Sequence, residues 1–422
     1  MNIRLCKLYT GIFKLIKYFK IEENIPYKTD CVHLLNKKTM KQILQTIAGF
    51  GAHNGGTSTC TYDLLSTMNK TSCIIDLLTP ESTDIMGHGE SWIKAVPNDT
   101  VTPYKYSRNI CRFLNETDYD IYHTNGLWLY CNHVTCSVAR KKNKPYLITP
   151  HGMLYPNALH RSYWKKWPLI QLFFNKDIKL ATCIHATCEP EMEYIRQFGY
   201  QGPIAVIPNP AILPDNAENL FKKKSVTFLG CNHPKKFGFL GRLHPRKKVE
   251  NLLYGVSLVK DKNNCELVIM GKGDENYEKF LHEEVKRLGL TNIKFIGFVS
   301  GQTKFEELAD LSALFVPSDF ENFGMIITEA LSVGTPVMAS LGTPWQSLNT
   351  HQCGWWIDRT PENIADVMTK IINMPVDDLL NMGKNGIALV KANYTADKVG
   401  AQMGQLYEWI LDGGEKPKFV YL

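Results

Sequence analysis

Residues 265–297 read CELVIMGKGDENYEKFLHEEVKRLGLTNIKFIG. The runs CELVIMG (265–271) and IKFIG (293–297) read as buried strands, and FLHEEVKRLG (280–289) between them reads as a helix. A strand, a helix and a second strand in succession imply parallel strands joined by a crossover helix, the unit of a doubly wound sheet. Working outward, further strands read at FGFLG (237–241), ALFVPS (313–318), PVMAS (336–340) and GWWID (354–358). Helices read at VENLLYGVSLVK (249–260) and GMIITEALSVG (324–334).

The same alternation occurs earlier in the chain. QILQTIAGF (42–50) reads as a buried strand that runs into the loop GAHNGG (51–56) and a helix, TSTCTYDLLSTMN (57–69). Strands follow at SCIIDLL (72–78), DIYHTN (120–125), PYLITP (145–150), CIHAT (183–187) and IAVIP (204–208). Between the two series, PNPAILPDNAENLFKKKS (208–225) has the Pro, Asn and charge content of a linker. The reading is therefore two Rossmann-like domains in tandem: 40–210, a linker 211–235, and 236–395. An extension precedes them at 1–39, and an amphipathic tail, 396–422, is expected to pack back toward the N-terminal domain. Ligands of such sheets bind beyond the carboxyl ends of the strands, so the cleft between the domains is the expected site.

A length of 422 residues suits two cores, and 44% apolar and 21% charged residues are ordinary for a globular chain. No apolar run of about 18 residues occurs, so no spanning helix is expected. The net charge of +7 permits phosphate, anionic lipid or nucleic acid as partners and selects none. The twelve cysteines contain no Cys-x-x-Cys pair and read as reduced, mostly buried thiols of a cytoplasmic protein. In MNIRLCKLYTGIFKLIKYFK (1–20), Arg4, Lys7, Lys14 and Lys17 lie largely opposite Leu5, Leu8, Ile12, Leu15, Ile16 and Phe19. One reading is a helix lying on an anionic membrane. The others are an extension docked on the body, or a start at Met40.

Four segments carry chemistry. In SDFENFGMIITEALSVGTPV (318–337), Glu321 ends a strand-to-loop passage and Glu329 lies on the following helix, which Phe323, Gly324 and Met325 should open. A helix N-terminus offers unpaired N–H groups suited to a diphosphate. In FGFLGRLHPRKKVENLL (237–253), Arg242 and Lys247 lie on the loop after a strand, where two cations can neutralise a departing diphosphate. GFGAHNGGTSTC (49–60) places Gly55 and Gly56 before a helix, without the full dinucleotide fingerprint. YLITPHGML (146–154) puts His151 at the mouth of the first sheet, where an imidazole can donate or accept near neutral pH. Each has a plainer structural alternative, respectively surface acids, a solvated basic loop, a turn, and a histidine bonded to a loop carbonyl.

Taken in order, the segments resemble one family. NGGTSTCTYDLL (54–65), DIYHTNGLW (120–128), LITPHGML (147–154), IHATCEPE (184–191), VIPNP (206–210), GRLHPRKK (241–248), IMGKGD (269–274), FIGFVSG (295–301) and FENFGMIITEAL (320–331) are similar to the signatures of the retaining GT-B glycosyltransferases of family 4 (group 1), found in bacterial cell-envelope polysaccharide assembly. The resemblance covers about residues 41–401. It implies a GT-B fold, two Rossmann-like doubly wound parallel-sheet domains facing a cleft. It implies that Arg242 and Lys247 hold the diphosphate, that Glu321 and the amides after it (Phe323, Gly324, Met325) bind the transferred sugar, and that Glu329 binds the ribose. Gly56 would lie near the phosphates or acceptor, His151 near the reacting sugar, and the stretch around Val299 along the base. The donor would be a nucleotide-diphosphate sugar, the acceptor a glycan or lipid-linked saccharide, with no cofactor, metal or nucleic acid. Two departures stand out: Lys248 where the family often has Gly, and Pro210 in place of the Gly of Pro-Asn-Gly.

Front-face attack with retention is the implied mechanism. The alternatives are a GT-B nucleotide-sugar epimerase and a non-catalytic nucleotide-sugar-binding protein. Asp118 and Asp120 form an Asp-x-Asp pair, but they precede a strand instead of following one, so no metal is expected there. HRSYWKKWPLIQLFFNK (160–176) mixes Arg161, Lys165 and Lys166 with Trp164 and Trp167, which suits a membrane interface or lipid-linked acceptor; a helix with a packed aromatic face is the plainer reading. The expected location is cytoplasmic, peripheral on the inner face of the membrane. Nothing in the sequence sets an oligomeric state.

Overall fold

Strands β1 (Gln42–Ile47), β2 (Ile74–Pro80), β3 (Ile93–Val96), β4 (Ile121–Asn125), β5 (Tyr146–Thr149), β6 (Cys183–Ala186) and β7 (Ile204–Val206) build the first half of the computed structural model. Strands β8 (Lys235–Leu240), β9 (Cys265–Met270), β10 (Ile293–Gly297), β11 (Ala313–Val316), β12 (Val337–Ser340) and β13 (Gly354–Ile357) build the second; β14 (Val420–Tyr421) ends the chain. The structure describes residues 41–51, 55–71, 74–230 and 234–422. The extension 1–39, its membrane reading and the alternative start at Met40 lie outside these.

The first sheet runs β14-β7-β6-β5-β4-β1-β2-β3 and the second β10-β9-β8-β11-β12-β13. All pairs are parallel except β14 on β7, where Val420 faces Ala205. Both sheets reverse their order beside the first strand, between β1 and β4 and between β8 and β11. These are the switch points at which loops splay apart and leave a crevice. Helices cover both faces of each sheet, so strands such as Ile121–Asn125 and Ala313–Val316 are buried at every position. Each large apolar side chain so buried contributes about 1.5–3 kcal/mol.

The expected linker 211–235 requires correction. A helix, Ala217–Gly230, occupies most of it and belongs to the second half. Phe221 packs where Gly334 has no Cβ, with the glycine at φ 74°. Lys224 is buried and donates to the Leu311 carbonyl (2.6 Å) and Thr335 Oγ1 (2.7 Å). The three consecutive lysines suggested solvent, but one of them reaches inward. Two strands had no signal in the sequence. β3 is a four-residue edge strand and β14 is two residues long.

The chain returns to the first half through helix Ala396–Asp412. Its Val399, Met403, Leu406 and Tyr407 are buried in the cluster that holds Leu64, Leu65 and Met68 of helix Gly56–Thr71. Thr395 caps it by accepting from the Lys398 N–H. No helix among the described residues is long and apolar enough to cross a membrane. The eight described cysteines are free thiols.

Candidate functional site

The loop after β8 folds into a short turn, Pro245–Lys247, before helix Val249–Leu258. That turn carries Lys247 toward the loop after β11, where its Nζ donates to Glu321 Oε1. Ser318 Oγ donates to the same oxygen at 2.7 Å, and the Glu321 N–H is fixed on the Gly342 carbonyl at 2.9 Å. A cation and an acid from two loops flanking the second switch point are thus in contact. Lys248 adopts the left-handed conformation, φ 52° and ψ 40°, that a glycine would take without strain. The unusual lysine therefore preserves the turn. Arg242 is exposed and makes no ion pair among the described residues.

Helix Met325–Ser332 opens one residue later than expected. Gly324, at φ 80°, is its N-cap, and Phe323 lies outside it with its ring buried against Trp345 and Tyr394. The Phe323 ring is core, so only its main chain can meet a ligand. The N–H groups of Phe323, Gly324 and Met325 find no acceptor among the described residues. Three free amides beside Glu321 form an anion-attracting end of a helix.

Glu329, further along that helix, does not join the Lys247–Glu321 pair. Lys304 Nζ sits 2.8 Å from Glu329 Oε1, and both side chains are largely buried. Burial raises the Glu329 carboxyl while Lys304 opposes the rise. Lys304 comes from helix Gly301–Asp310, which follows β10 and the half-buried Val299. Asp63 faces this pair from the first half. Burial and the Glu329 charge push it up to about 6, and its Oδ2 has no hydrogen-bond partner among the described residues. Gly56, at the start of Asp63's helix, also faces the second half: a Cβ there would lie 3.8 Å from Met325 Cγ.

In the first half, His151 stands on a left-handed turn, φ 51°, just past β5. Glu191, fully buried, holds this turn by accepting from the Gly152 N–H (2.5 Å), the Thr187 N–H (2.7 Å) and Thr187 Oγ1 (2.9 Å). Asn322, next to Glu321, completes a clasp between the halves. Its Nδ2 donates to Thr187 Oγ1 at 2.9 Å, and its carbonyl accepts from Cys188 Sγ at 3.0 Å.

A buried chain of hydrogen bonds decides which nitrogen of His151 carries the proton. His185 Nε2 lies 2.8 Å from the Ile207 carbonyl and must donate. Burial lowers His185 to about 4, so the ring is neutral and its Nδ1 accepts from Thr149 Oγ1 at 2.9 Å. Thr149 Oγ1 then accepts from His123 Nε2 (2.7 Å), and His123 Nδ1 accepts from Tyr407 Oη (2.8 Å). Burial and the His185 and His151 charges keep His123 well below its usual range. Tyr407 Oη accepts from Gln45 Nε2 (2.9 Å), whose Oε1 accepts from Asn125 Nδ2 (2.8 Å). The remaining Asn125 Oδ1 therefore accepts from His151 Nε2 at 3.1 Å. Every donor in the series is set by the one carbonyl. Among the described residues His151 is left with Nδ1 as a free acceptor. Burial, with the His185 charge, lowers His151 to about 3. A ring so held stays neutral, donating at Nε2 and presenting Nδ1 as an acceptor.

Asp118 and Asp120 both approach Lys144, at 3.6 and 3.8 Å, at the amino end of β4 and away from these loops. In the basic aromatic segment, Trp164, Trp167 and Leu172 are 74%, 51% and 69% exposed, while Ile170 and Phe174 face the core. The packed-aromatic alternative does not hold for the two tryptophans.

Sequence reasoning missed Lys304, Asp63, Asn322 and Tyr407. Asn322 and Asp63 lie inside the quoted motifs FENFG and TYDLL. Tyr407 is 284 residues from His123, so no local pattern could have connected them.

Two family models match the chain, one in each half: Glycosyltransferase Family 4 over residues 54–212 and Glycosyl transferases group 1 over residues 222–388. Among curated relatives, an uncharacterised glycosyltransferase of Methanocaldococcus jannaschii is 30% identical over 32% of this chain and 35% of its own length. The phosphatidyl-myo-inositol mannosyltransferase of Mycolicibacterium smegmatis is 31% identical over 42% of this chain and 46% of its own. An O-antigen biosynthesis glycosyltransferase of Escherichia coli, WclY, is 22% identical over 46% and 60%. The chain thus spans about a third to three fifths of these relatives. Among solved structures, sucrose-phosphate synthase of Thermosynechococcus elongatus superposes with a TM-score of 0.69 at 18% identity, covering 89% of this chain and all of that one. Anabaena HepE in complex with UDP gives 0.67 at 17%, covering 87% and 99%. These neighbours share the GT-B fold of two facing parallel-sheet domains. With both halves matched in order, the chain belongs to the group 1, family 4 glycosyltransferases.

Proposed function

We propose that the chain transfers a hexosyl group from a nucleotide-diphosphate sugar to a glycan or lipid-linked acceptor, with retention, in the assembly of a cell-envelope polysaccharide. The observation that carries this reading is the Lys247–Glu321 contact beside three unsatisfied amides at the second switch point. As the anomeric C–O bond breaks, its electron pair leaves with the diphosphate. Arg242 and Lys247 stabilise that charge. Glu321 and the amides of Phe323, Gly324 and Met325 hold the sugar, and Glu329 takes the ribose hydroxyls once it exchanges Lys304 for them. The base lies along Val299, and Gly56 borders the phosphates. His151 accepts a sugar hydroxyl at Nδ1. The acceptor oxygen attacks from the face the diphosphate leaves, and its proton passes to a departing phosphate oxygen. The HepE structures with UDP and UDP-glucose favour a uridine donor as the first to test.

The exposed Trp164, Trp167 and Leu172, with Lys165 Nζ 5.1 Å over the Trp164 ring, favour peripheral contact with an anionic membrane on the cytoplasmic face. Thermal-shift screening of UDP-, GDP- and ADP-sugars, then transfer assays with the best binder, tests the donor reading. An NMR spectrum of the product with the inverted anomer would refute retention. Flotation with anionic liposomes tests the membrane contact, and a protein left wholly in the soluble fraction would remove it.

A further inference from the structure

A cavity of about 710 Å³ adjoins the site and is walled by both halves: Trp128, Met153, Arg161 and Lys166 from the first, Arg246 and Phe320 from the second. Three of these six are cations. Arg246 is the neighbour of Lys247, and the turn Pro245–Lys247 divides the two: Lys247 contacts Glu321, while the Arg246 guanidinium lies 5.3 Å over the Phe320 ring. Phe320 in turn stacks on Tyr155, 5.7 Å between centroids. Arg161 and Arg246 make no ion pair among the described residues. Among the described residues Lys166 donates only to the neutral Ala158 and Leu159 carbonyls, and burial together with the Arg161 charge lowers it. Asp319, the acid in the wall, is held by Arg359 at 2.9 Å. Trp128 stands at φ 70°, and its indole N–H is buried without an acceptor among the described residues.

Arg161 repels Lys166, both arginines stand open to solvent, and no free acid lines the cavity among the described residues, so an anion with several acceptor oxygens would relieve the arrangement. The donor's diphosphate already has Arg242, Lys247 and the helix amides under the reading above. We propose that this cavity receives the phosphate of the acceptor, an ester of a sugar carried either free or on a lipid. The proposal rests on the transferase reading for the word acceptor, whereas the phosphate chemistry rests on the cavity alone. Lys166 lies between Trp164 and Trp167, so a lipid-borne phosphate could enter beside the exposed aromatic face.

The test compares transfer to one sugar in three forms: unphosphorylated, as its soluble 1-phosphate, and as a short-chain polyprenyl diphosphate ester. The chain should use a phosphorylated form at least about tenfold better in kcat/KM, the size expected of charge-assisted bonds. Arg161→Glu should erase the preference and Arg161→Lys should keep most of it, with thermal midpoints showing that both fold. A preference for the soluble form assigns a free sugar phosphate; one confined to the lipid form assigns the carrier. Equal use of all three, or a preference that survives Arg161→Glu, overturns the proposal. If no form is glycosylated, the transferase reading has failed instead. Calorimetric titration with a hexose 1-phosphate then judges the cavity: binding lost in Arg161→Glu supports it, and no binding in the unmodified chain overturns it.

Discussion

The mouths of the two sheets are built on the same strand order and hold opposite chemistry. The second is charged: Lys247 meets Glu321, Lys304 meets Glu329, and three amides stand open at a helix N-terminus. The first is centred on uncharged rings: three histidines held below their usual range form one directed series of hydrogen bonds with Thr149, Tyr407, Gln45 and Asn125. A strand order fixes where a ligand can sit. The loops alone decide whether that place neutralises charge or presents a fixed set of uncharged donors and acceptors.

The sharpest way to break the contrast is to remove charge from the second mouth. Lys247→Ala or Arg242→Ala should lower kcat by about 10²–10³, some 3–4 kcal/mol, the usual cost of losing one donor to a developing anion. Steady-state kinetics with a saturating donor would check it, and near-normal turnover in either variant would count against the assignment. Glu329→Ala should act on binding instead. Donor KM should rise about ten- to hundredfold while kcat moves less, because hydrogen bonds to a charged group contribute about 1.5–3 kcal/mol each.

The first mouth should respond differently. Tyr407→Phe removes the hydroxyl that donates to His123 and accepts from Gln45. Denaturant unfolding should show a loss of about 1–3 kcal/mol, since two buried polar groups lose their partner. Activity should fall by a smaller factor than in Lys247→Ala. Because His151 sits near 3, the kcat–pH profile should carry no limb from an imidazole between pH 5 and 8. A limb with a midpoint near 6.5 that vanishes in His151→Ala would overturn the neutral reading.

The two mouths were not equally legible in the sequence. Both Rossmann-like halves followed from alternating strands and helices, because buried parallel strands are short apolar runs and their crossovers are not. The positions of Lys247, Glu321 and Glu329 were readable because each lies just past a strand or on the next helix, within one local motif. The hydrogen-bonded series of the first mouth was not, since it joins β1, β4, β5, β6 and a helix near the C-terminus. Such contacts leave no spacing. The linker was misread for a related reason: in Ala217–Gly230 the charge of Lys222, Lys223 and Lys224 masked a helix with a buried side.

Asp63, in the first half, feels the Glu329 charge of the second, and it offers a pH test of their coupling. Its pKa of about 6 lies above the ordinary value of 3.8, so the fold binds this proton more tightly than the unfolded chain does. Asp63 therefore adds no penalty below pH 4, and stability falls as pH rises from there to about 6. Asp63→Asn should raise unfolding free energy by about 1–2 kcal/mol at pH 7.5, allowing for solvent screening of a partly exposed group, and by nothing measurable at pH 4. A gain that is the same at both pH values would mean that Glu329 and burial do not strain this carboxylate.

The smallest effect expected comes from Lys248, and it separates backbone from charge in the second mouth. At φ 52° a residue with a Cβ costs about 1–2 kcal/mol relative to its preferred conformations, and glycine escapes that cost while losing more backbone entropy on folding. The lysine also makes a long ion pair with Glu250, 3.7 Å, which at a partly exposed position contributes little. The balance favours Lys248→Gly by about 1 kcal/mol. If the turn serves only to aim Lys247 at Glu321, the variant should be more stable and equally active, because glycine keeps the same left-handed geometry. If activity falls while stability rises, the Lys248 charge itself contributes to the electropositive mouth, and the contrast between the two sheets is wider than the Lys247–Glu321 contact alone conveys.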